Sequence, residues 1–538
     1  MLIRLAIVLS YFAVMLVIGG VFRKSASKNK SEFFLAGRKV PRILLFCTMA
    51  ATNFSAFTIF GLSGAGYRIG YAFFPIMGFG TGFMALAFLT FGKRVNALSR
   101  ERGYITPADC IADRYGSPLL SRLFSIVMIV FTLPYIAIQA VSSGKSLESL
   151  VGLPYWCGAL LVTGASVIYV TMGGMRSDIW TDVIQGVMMI GLTLAAFIVI
   201  AVKSGGFIEA NRAAFAETPA LFSRPGADGS MTYGIWLGYM LLWLFADPMF
   251  PQLFQRFYAA KDGRSLDTAA VLYPLITTFL FFLTVSIGVM GRAAFPGLST
   301  AESDSIFPLL LGRFVGGPLA VFLLMGGMAA LMSTLDSQLL SLGSMIGLDF
   351  FKTRRPGVLV PKLIVLTVAG LGFLIALNPP KTLLDFINKT SFYGFAALAP
   401  TAVGAVYWKR GTKYGAIASI VLGESVVAAS YFGLIAIPGI LPAIPVIAVS
   451  LGSYVLVSLL TPGHGENAKL AGPVSKRAWP WAALFLALFI LGNDFWAWGR
   501  SPVLVFGMPL WVLYSMGLGA ALSLAYALYA RRSSRTVH

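Results

Sequence analysis

The chain has 538 residues, of which 57% are hydrophobic and only 12% charged, and its mean hydropathy is +0.81. A soluble chain of this length would carry about 25% charged residues and divide into several domains. Here, apolar runs of roughly 20 residues recur from Leu2 to the end, each long enough to cross a hydrocarbon core. The net charge of +20 would suggest nucleic acid in a soluble domain, but the basic residues sit in short loops between apolar runs, a membrane-topology pattern. The two histidines, His464 and His538, and the three scattered cysteines, Cys47, Cys110 and Cys157, exclude a disulfide framework, a thiolate metal cluster and triad or metal-hydrolase chemistry.

The first run, Met1 to Phe22, is too long for a signal peptide and has no small-residue cleavage site, so it reads as a retained helix. Further hydrophobic runs predict helices near 43–67, 71–92, 121–144, 154–173, 178–202, 233–254, 268–291 and 316–347. Six more are predicted near 361–378, 384–407, 414–436, 440–461, 479–498 and 508–530, giving about 15 in an all-α polytopic membrane protein. Segments 23–42, 93–122, 174–177, 255–267, 348–362, 408–414, 462–478 and 531–538 hold 30 of the 41 Lys and Arg residues. They are assigned to the cytoplasm, which puts the N-terminus outside and the C-terminus inside, in a bacterial inner membrane. The loop 203–232 on the opposite face is longer and polar.

Two helices are interrupted at mid-depth. The second contains Thr48-Met49-Ala50-Ala51-Thr52-Asn53-Phe54-Ser55, a small and polar stretch. The seventh contains Phe245-Ala246-Asp247-Pro248-Met249-Phe250-Pro251, where prolines remove donors and free upstream carbonyls. Broken backbone at this depth survives only where it lines a protein cavity or an ion site. The two helices are five spans apart, which forces opposite orientation and predicts an inverted repeat of five plus five helices. The predicted units are residues 1–42 (peripheral helix and basic loop), 43–203 (first repeat), 204–232 (loop), 233–407 (second repeat) and 408–538 (additional helices).

Four stretches stand out: Gly173-Gly174-Met175-Arg176-Ser177-Asp178-Ile179-Trp180-Thr181-Asp182-Val183-Ile184-Gln185, Gln255-Arg256-Phe257-Tyr258-Ala259-Ala260-Lys261, Ala330-Leu331-Met332-Ser333-Thr334-Leu335-Asp336-Ser337-Gln338-Leu339-Leu340, and Tyr407-Trp408-Lys409-Arg410 with Gly415-Ala416. Together they resemble the sodium/solute symporter family. They run in order over roughly residues 30–425 and are similar to the proline, pantothenate, sialic acid, sugar and monocarboxylate branches. The resemblance implies a leucine-transporter-type fold that imports a small solute with sodium as the coupling ion, with no other cofactor. The expected partners are a small solute, sodium and the lipid bilayer, with no nucleic acid and no obligatory protein partner. Enzyme activity is not expected.

Sodium is a hard cation that takes oxygen ligands. Ala330, Ser333, Thr334 and Ser337 share one helix face, and two hydroxyls plus the Ala330 carbonyl can supply three oxygens. Broken backbone around Ala51 and Phe54 can supply two carbonyls, a set that matches the family's shared sodium site. Asp182 stands where the family keeps an aspartate linked to coupling, and Asp336 replaces a serine that some members use in a second sodium site. With Ser337, these two acids could hold a cation, share a proton or sit as wet structural groups. Asp247 could face a substrate ammonium, tune the unwound segment or cap the helix that restarts after Pro248. Asn53, Ser55 and Phe57 on the first broken helix, with Tyr135 and Gln139 four apart beside Pro134, are the further candidates for solute contact. Lys389 either attracts a carboxylate or pairs with Asp385 at i, i+4. An anion of the monocarboxylate or pantothenate kind, or an amino acid, is favoured over sugar. A proton-coupled symporter of the same fold and a transporter-like solute sensor are the alternatives.

Overall fold

The structure, a computed structural model, describes residues 2–26, 29–351, 359–462, 470–472 and 478–535, so His464 and His538 lie outside the described residues. Among the described residues, ten helices are long and apolar enough to cross a membrane, or eleven with Arg42–Asn53 and Phe57–Arg68 taken as one bent span. The predicted 15 are therefore not all met as separate uninterrupted helices. The runs expected at 154–173 and 178–202 are met as two helices within Tyr155–Lys203, which join at a kink at Gly174 (φ 58°, ψ −157°). A side chain is disfavoured in that backbone conformation, so glycine makes the turn. The run expected at 233–254 is split into Tyr233–Ala246 and Pro251–Ala259. The one expected at 384–407 opens with Leu383–Ile387 and a wide π-helical turn, Asn388–Phe392, before Tyr393–Tyr407. A two-stranded hairpin, Leu504–Val505 with Met508–Pro509, departs from the all-α pattern.

Burial separates a core from a periphery. Within Gly317–Phe350 and Tyr71–Arg102, 83% and 89% of the apolar stretch is buried inside the protein. The corresponding share is 28% in Leu2–Val21 and in Trp479–Ala497. The outer helices instead present Leu456, Leu486 and Leu524 outwards, and apolar surface on this scale is stable only against lipid. The helix Gly263–Ala294 crosses Phe57–Arg68 at a glycine contact. A Cβ on Gly288 would lie 2.7 Å from the Tyr67 amide nitrogen and would also meet the Ser63 carbonyl. Small residues let the two backbones approach this closely, which is how membrane helices gain packing without a hydrophobic drive between them.

Candidate functional site

The first broken helix bends by 62° between Arg42–Asn53 and Phe57–Arg68. Such a break frees backbone donors and acceptors that must find partners inside the protein. Side chains supply the acceptors: the Ser55 amide donates to Thr58 Oγ1 at 3.2 Å, the Ala56 amide to Gln139 Oε1 at 2.9 Å and the Phe57 amide to Ser55 Oγ at 3.2 Å. The freed carbonyls face the helix Gly317–Met345. Ser333 Oγ donates to the Ala51 carbonyl at 2.8 Å and to Ala330 at 2.9 Å. Thr334 Oγ1 lies 2.9 Å from the Thr52 carbonyl, 3.3 Å from Phe54 and 3.4 Å from Ala330. Ala51, Phe54, Ala330, Ser333 and Thr334 thus meet at one spot, all of them buried.

One helical turn along the same face, Ser337 joins a buried ionic cluster. Arg256, from the second half of the other broken helix, donates through Nη2 to Asp178 Oδ2 and Asp182 Oδ2, each at 2.8 Å. It also donates to Ser337 Oγ at 2.7 Å, and through Nε to Thr48 Oγ1 at 2.8 Å. Thr48 donates in turn to Asp182, and Thr52 Oγ1 lies 3.0 Å from Ser337 Oγ. Arg256, Asp178 and Asp182 are at most 1% exposed, so neither acid is a wet group. The cluster joins four helices that the sequence leaves far apart. Asp178 and Asp182 share a helix face at i, i+4 and Arg256 stands in a family-like stretch, the two signals that could have marked them.

Asp336 is elsewhere. It points about one residue's rotation away from Ser337, to a side of the helix where Ser166 and, farther off, Tyr11 of the first helix face it. The expectation that Asp182 and Asp336 share one cation or proton is therefore corrected. Successive residues on a helix point about 100° apart, and Arg256 already neutralises one member of the pair. Both Asp336 oxygens are buried without a hydrogen-bond partner among the described residues.

At the second break the prolines replace regular helix with the turn Asp247–Met249. The Asp247 side chain does not cap the helix that restarts at Pro251, correcting one of its expected roles. It reaches instead to the other broken helix, where its Oδ2 accepts from Asn53 Nδ2 at 3.3 Å. Asn53 also donates to the Tyr273 hydroxyl at 2.5 Å. Around this contact lies an aromatic layer of which the sequence marked Tyr135 and Phe57 but not Phe250, Phe392 or Trp243: Tyr135 packs on Phe250 (5.6 Å between centroids) and Phe392 (5.3 Å), and Trp243 on Phe392 (5.2 Å) and Phe57 (6.3 Å). Gln139 is turned to backbone at both ends, with its Nε2 on the Tyr135 carbonyl at 3.0 Å, and Ser55 likewise braces the break.

Above the aromatic layer a cavity of about 630 Å³ opens on the face of loop 203–232, with Arg68, Asp228, Arg292, Asp385 and Lys389 on its walls and Tyr239 near its floor. Among the described residues no ion pair joins Lys389 to Asp385, contrary to that expected reading. The wide turn Asn388–Phe392 changes the angle between them, and both are exposed. Asn388 Nδ2 donates to the Tyr239 hydroxyl at 2.8 Å, and Tyr239 stacks on Trp243 at 6.3 Å, so aromatic side chains separate the cavity from Asp247.

Comparisons with known proteins agree with this architecture. A sodium:solute symporter family model matches residues 33–423. The chain is 27% identical over 478 residues to a sodium/pantothenate symporter of Escherichia coli, covering 84% of this chain and 96% of that one. It is 29% identical over 481 residues to an osmoregulated proline transporter of Bacillus subtilis, covering 84% and 93%. A solved sodium-coupled sialic acid symporter superposes with a TM-score of 0.71 at 20% identity, over 86% of this chain and 98% of that one. A nucleobase-cation-symport-1 family transporter superposes with a TM-score of 0.58 at 13% identity, over 82% and 98%. These neighbours share the leucine-transporter-type fold, with its five plus five inverted helices. The homologues are symporters rather than enzymes, and with its many apolar helices this chain is an integral membrane protein that belongs to the sodium:solute symporter family.

Proposed function

We propose that this chain imports a small polar organic solute with sodium by alternating access. The observation that carries the reading is the meeting of the carbonyls of Ala51, Phe54 and Ala330 with the hydroxyls of Ser333 and Thr334 across two helices. Five uncharged oxygens suit a hard monovalent cation. A cation there would draw the hydroxyl oxygens as ligands, replace their bonds to the carbonyls and hold the broken helix against Gly317–Met345. The solute would sit beside the breaks, near Asn53, Phe57, Tyr135 and Asp247, with Ser55 and Gln139 holding the backbone that frames it. The relatives named for pantothenate and proline support a small organic solute.

The orientation we infer places loop 203–232 outside and the basic loops in the cytoplasm of a bacterial inner membrane, N-terminus outside. The wide cavity then faces outwards. On the other face the Lys261 backbone amide donates to the Val40 carbonyl at 2.9 Å and the Arg100 side chain to the Lys261 carbonyl at 2.8 Å, tying the ends of the two broken helices together. The repeats are proposed to span 43–203 and 233–407, each carrying one broken helix.

The test is uptake and thermal stability of Ser333→Ala combined with Thr334→Ala. Loss of sodium-dependent uptake and of the sodium-specific stability increase, in a protein that still inserts, is expected. Normal sodium-dependent uptake would sink the assignment. Proton coupling is a second reading, favoured by Asp336, whose buried oxygens have no hydrogen-bond partner among the described residues. It predicts pH-driven uptake without sodium, abolished by Asp336→Asn.

A further inference from the structure

The solute region has an uneven charge inventory. Asp247 is 2% exposed, its Oδ2 holds Asn53 at 3.3 Å, and its Oδ1 is buried with no hydrogen-bond partner among the described residues. A carboxylate in that position is expensive to keep charged unless a cation joins it. No protein cation does so: among the described residues no ion pair includes Asp247, and Arg256 is engaged by Asp178 and Asp182.

The surroundings have the same polarity. Tyr135 and Tyr273 both lie close to the Asp247 carboxylate, and the Tyr135 ring belongs to the layer formed with Phe250, Phe392, Trp243 and Phe57. Aromatic faces carry negative electrostatic potential and attract organic cations. A carboxylate-only solute would meet a like charge and ring faces here. A sugar would leave Asp247 Oδ1 without a counter-charge. Sodium prefers a cage of oxygens, which the Ser333 and Thr334 cluster offers and the ring layer does not. An alkylammonium group suits both features at once, with its charge on Asp247 and its carbon surface on the rings.

We propose that the transported solute carries a positively charged nitrogen, seated on Asp247 Oδ1 against the aromatic layer: an amino acid or a betaine rather than a simple monocarboxylate, a pantothenate-like anion or a sugar. The proposal rests on the symport reading above and narrows it. It also fits the outer cavity, whose walls carry both signs of charge, Arg292 and Lys389 with Asp228 and Asp385.

The experiment is thermal unfolding of the purified full chain in sodium or potassium chloride. The probes are the proteinogenic amino acids, glycine betaine, choline, pantothenate, pyruvate and glucose. A sodium-dependent rise in melting temperature is expected from one or more nitrogen cations and from none of the others. Asp247→Asn is expected to weaken that ligand by about thirtyfold or more, the loss seen when one member of a buried charge pair is removed. Its stabilisation by sodium alone should persist, which reports that it is folded. Asp247→Glu keeps the charge and should retain binding if the Asn variant does not fold. The proposal is overturned by stabilisation from pantothenate, pyruvate or glucose alone, by the absence of any nitrogen-cation effect, or by wild-type affinity in Asp247→Asn. Sodium giving no stabilisation to the wild-type chain would overturn the symport reading instead.

Discussion

Arg256 and Asp182, 74 positions apart in the chain, meet at 2.8 Å in the buried interior of the protein. Because Asp178 lies equally close to the same nitrogen, one guanidinium offsets two carboxylates at the crossing of four helices. Removing the cation would leave two buried acids facing each other. Arg256→Gln is expected to destabilise the fold by about 3–5 kcal/mol, the range for breaking a buried ion pair. Adding Asp182→Asn should recover part of that loss, a coupling that a double-mutant cycle in thermal unfolding measures. Simple additivity of the two losses would contradict the pairing.

Gln139 holds the first break by accepting from the Ala56 amide at 2.9 Å. Gln139→Leu preserves approximate size but orphans that buried N–H, at about 1–3 kcal/mol. Its melting temperature should fall equally with and without solute. A loss confined to solute affinity, with stability intact, would show that Gln139 serves the ligand rather than the backbone.

Gly174 turns the long element Tyr155–Lys203 with φ at 58°, and an added Cβ would stand 2.7 Å from the Phe33 carbonyl. Gly174→Ala should therefore lower stability by about 1–3 kcal/mol through backbone strain, before the contact is counted. Thermal unfolding that matches the wild type would show that the turn relaxes without strain.

Gly288 packs against the backbone of Tyr67 and Ser63 in the second half of the first broken helix. Backbone yields less readily than a side-chain tip, so Gly288→Ala should cost about 1–3 kcal/mol by overpacking. Gly452→Ala is the control, because nothing lies within 4 Å of its added Cβ. Equal melting temperatures for the two variants would refute the close crossing.

Much of this protein is written in local pattern. Long apolar runs demand membrane helices because lipid offers no hydrogen-bond partner to open backbone. Polar residues and prolines at mid-depth mark the two breaks for the same reason, and helical spacing alone aligns Ala330, Ser333 and Thr334 on one face. Local pattern is silent about which faces meet. The pairing of Arg256 with Asp182 rather than Asp336 with Asp182 depends on helix rotation and crossing. So does the reach of Asp247 across to Asn53 in place of its own helix end, and so does the turn of Gln139 into backbone. Each of these contacts is decided where buried polar groups from distant segments satisfy one another, and only the packed tertiary arrangement brings those segments within hydrogen-bond range.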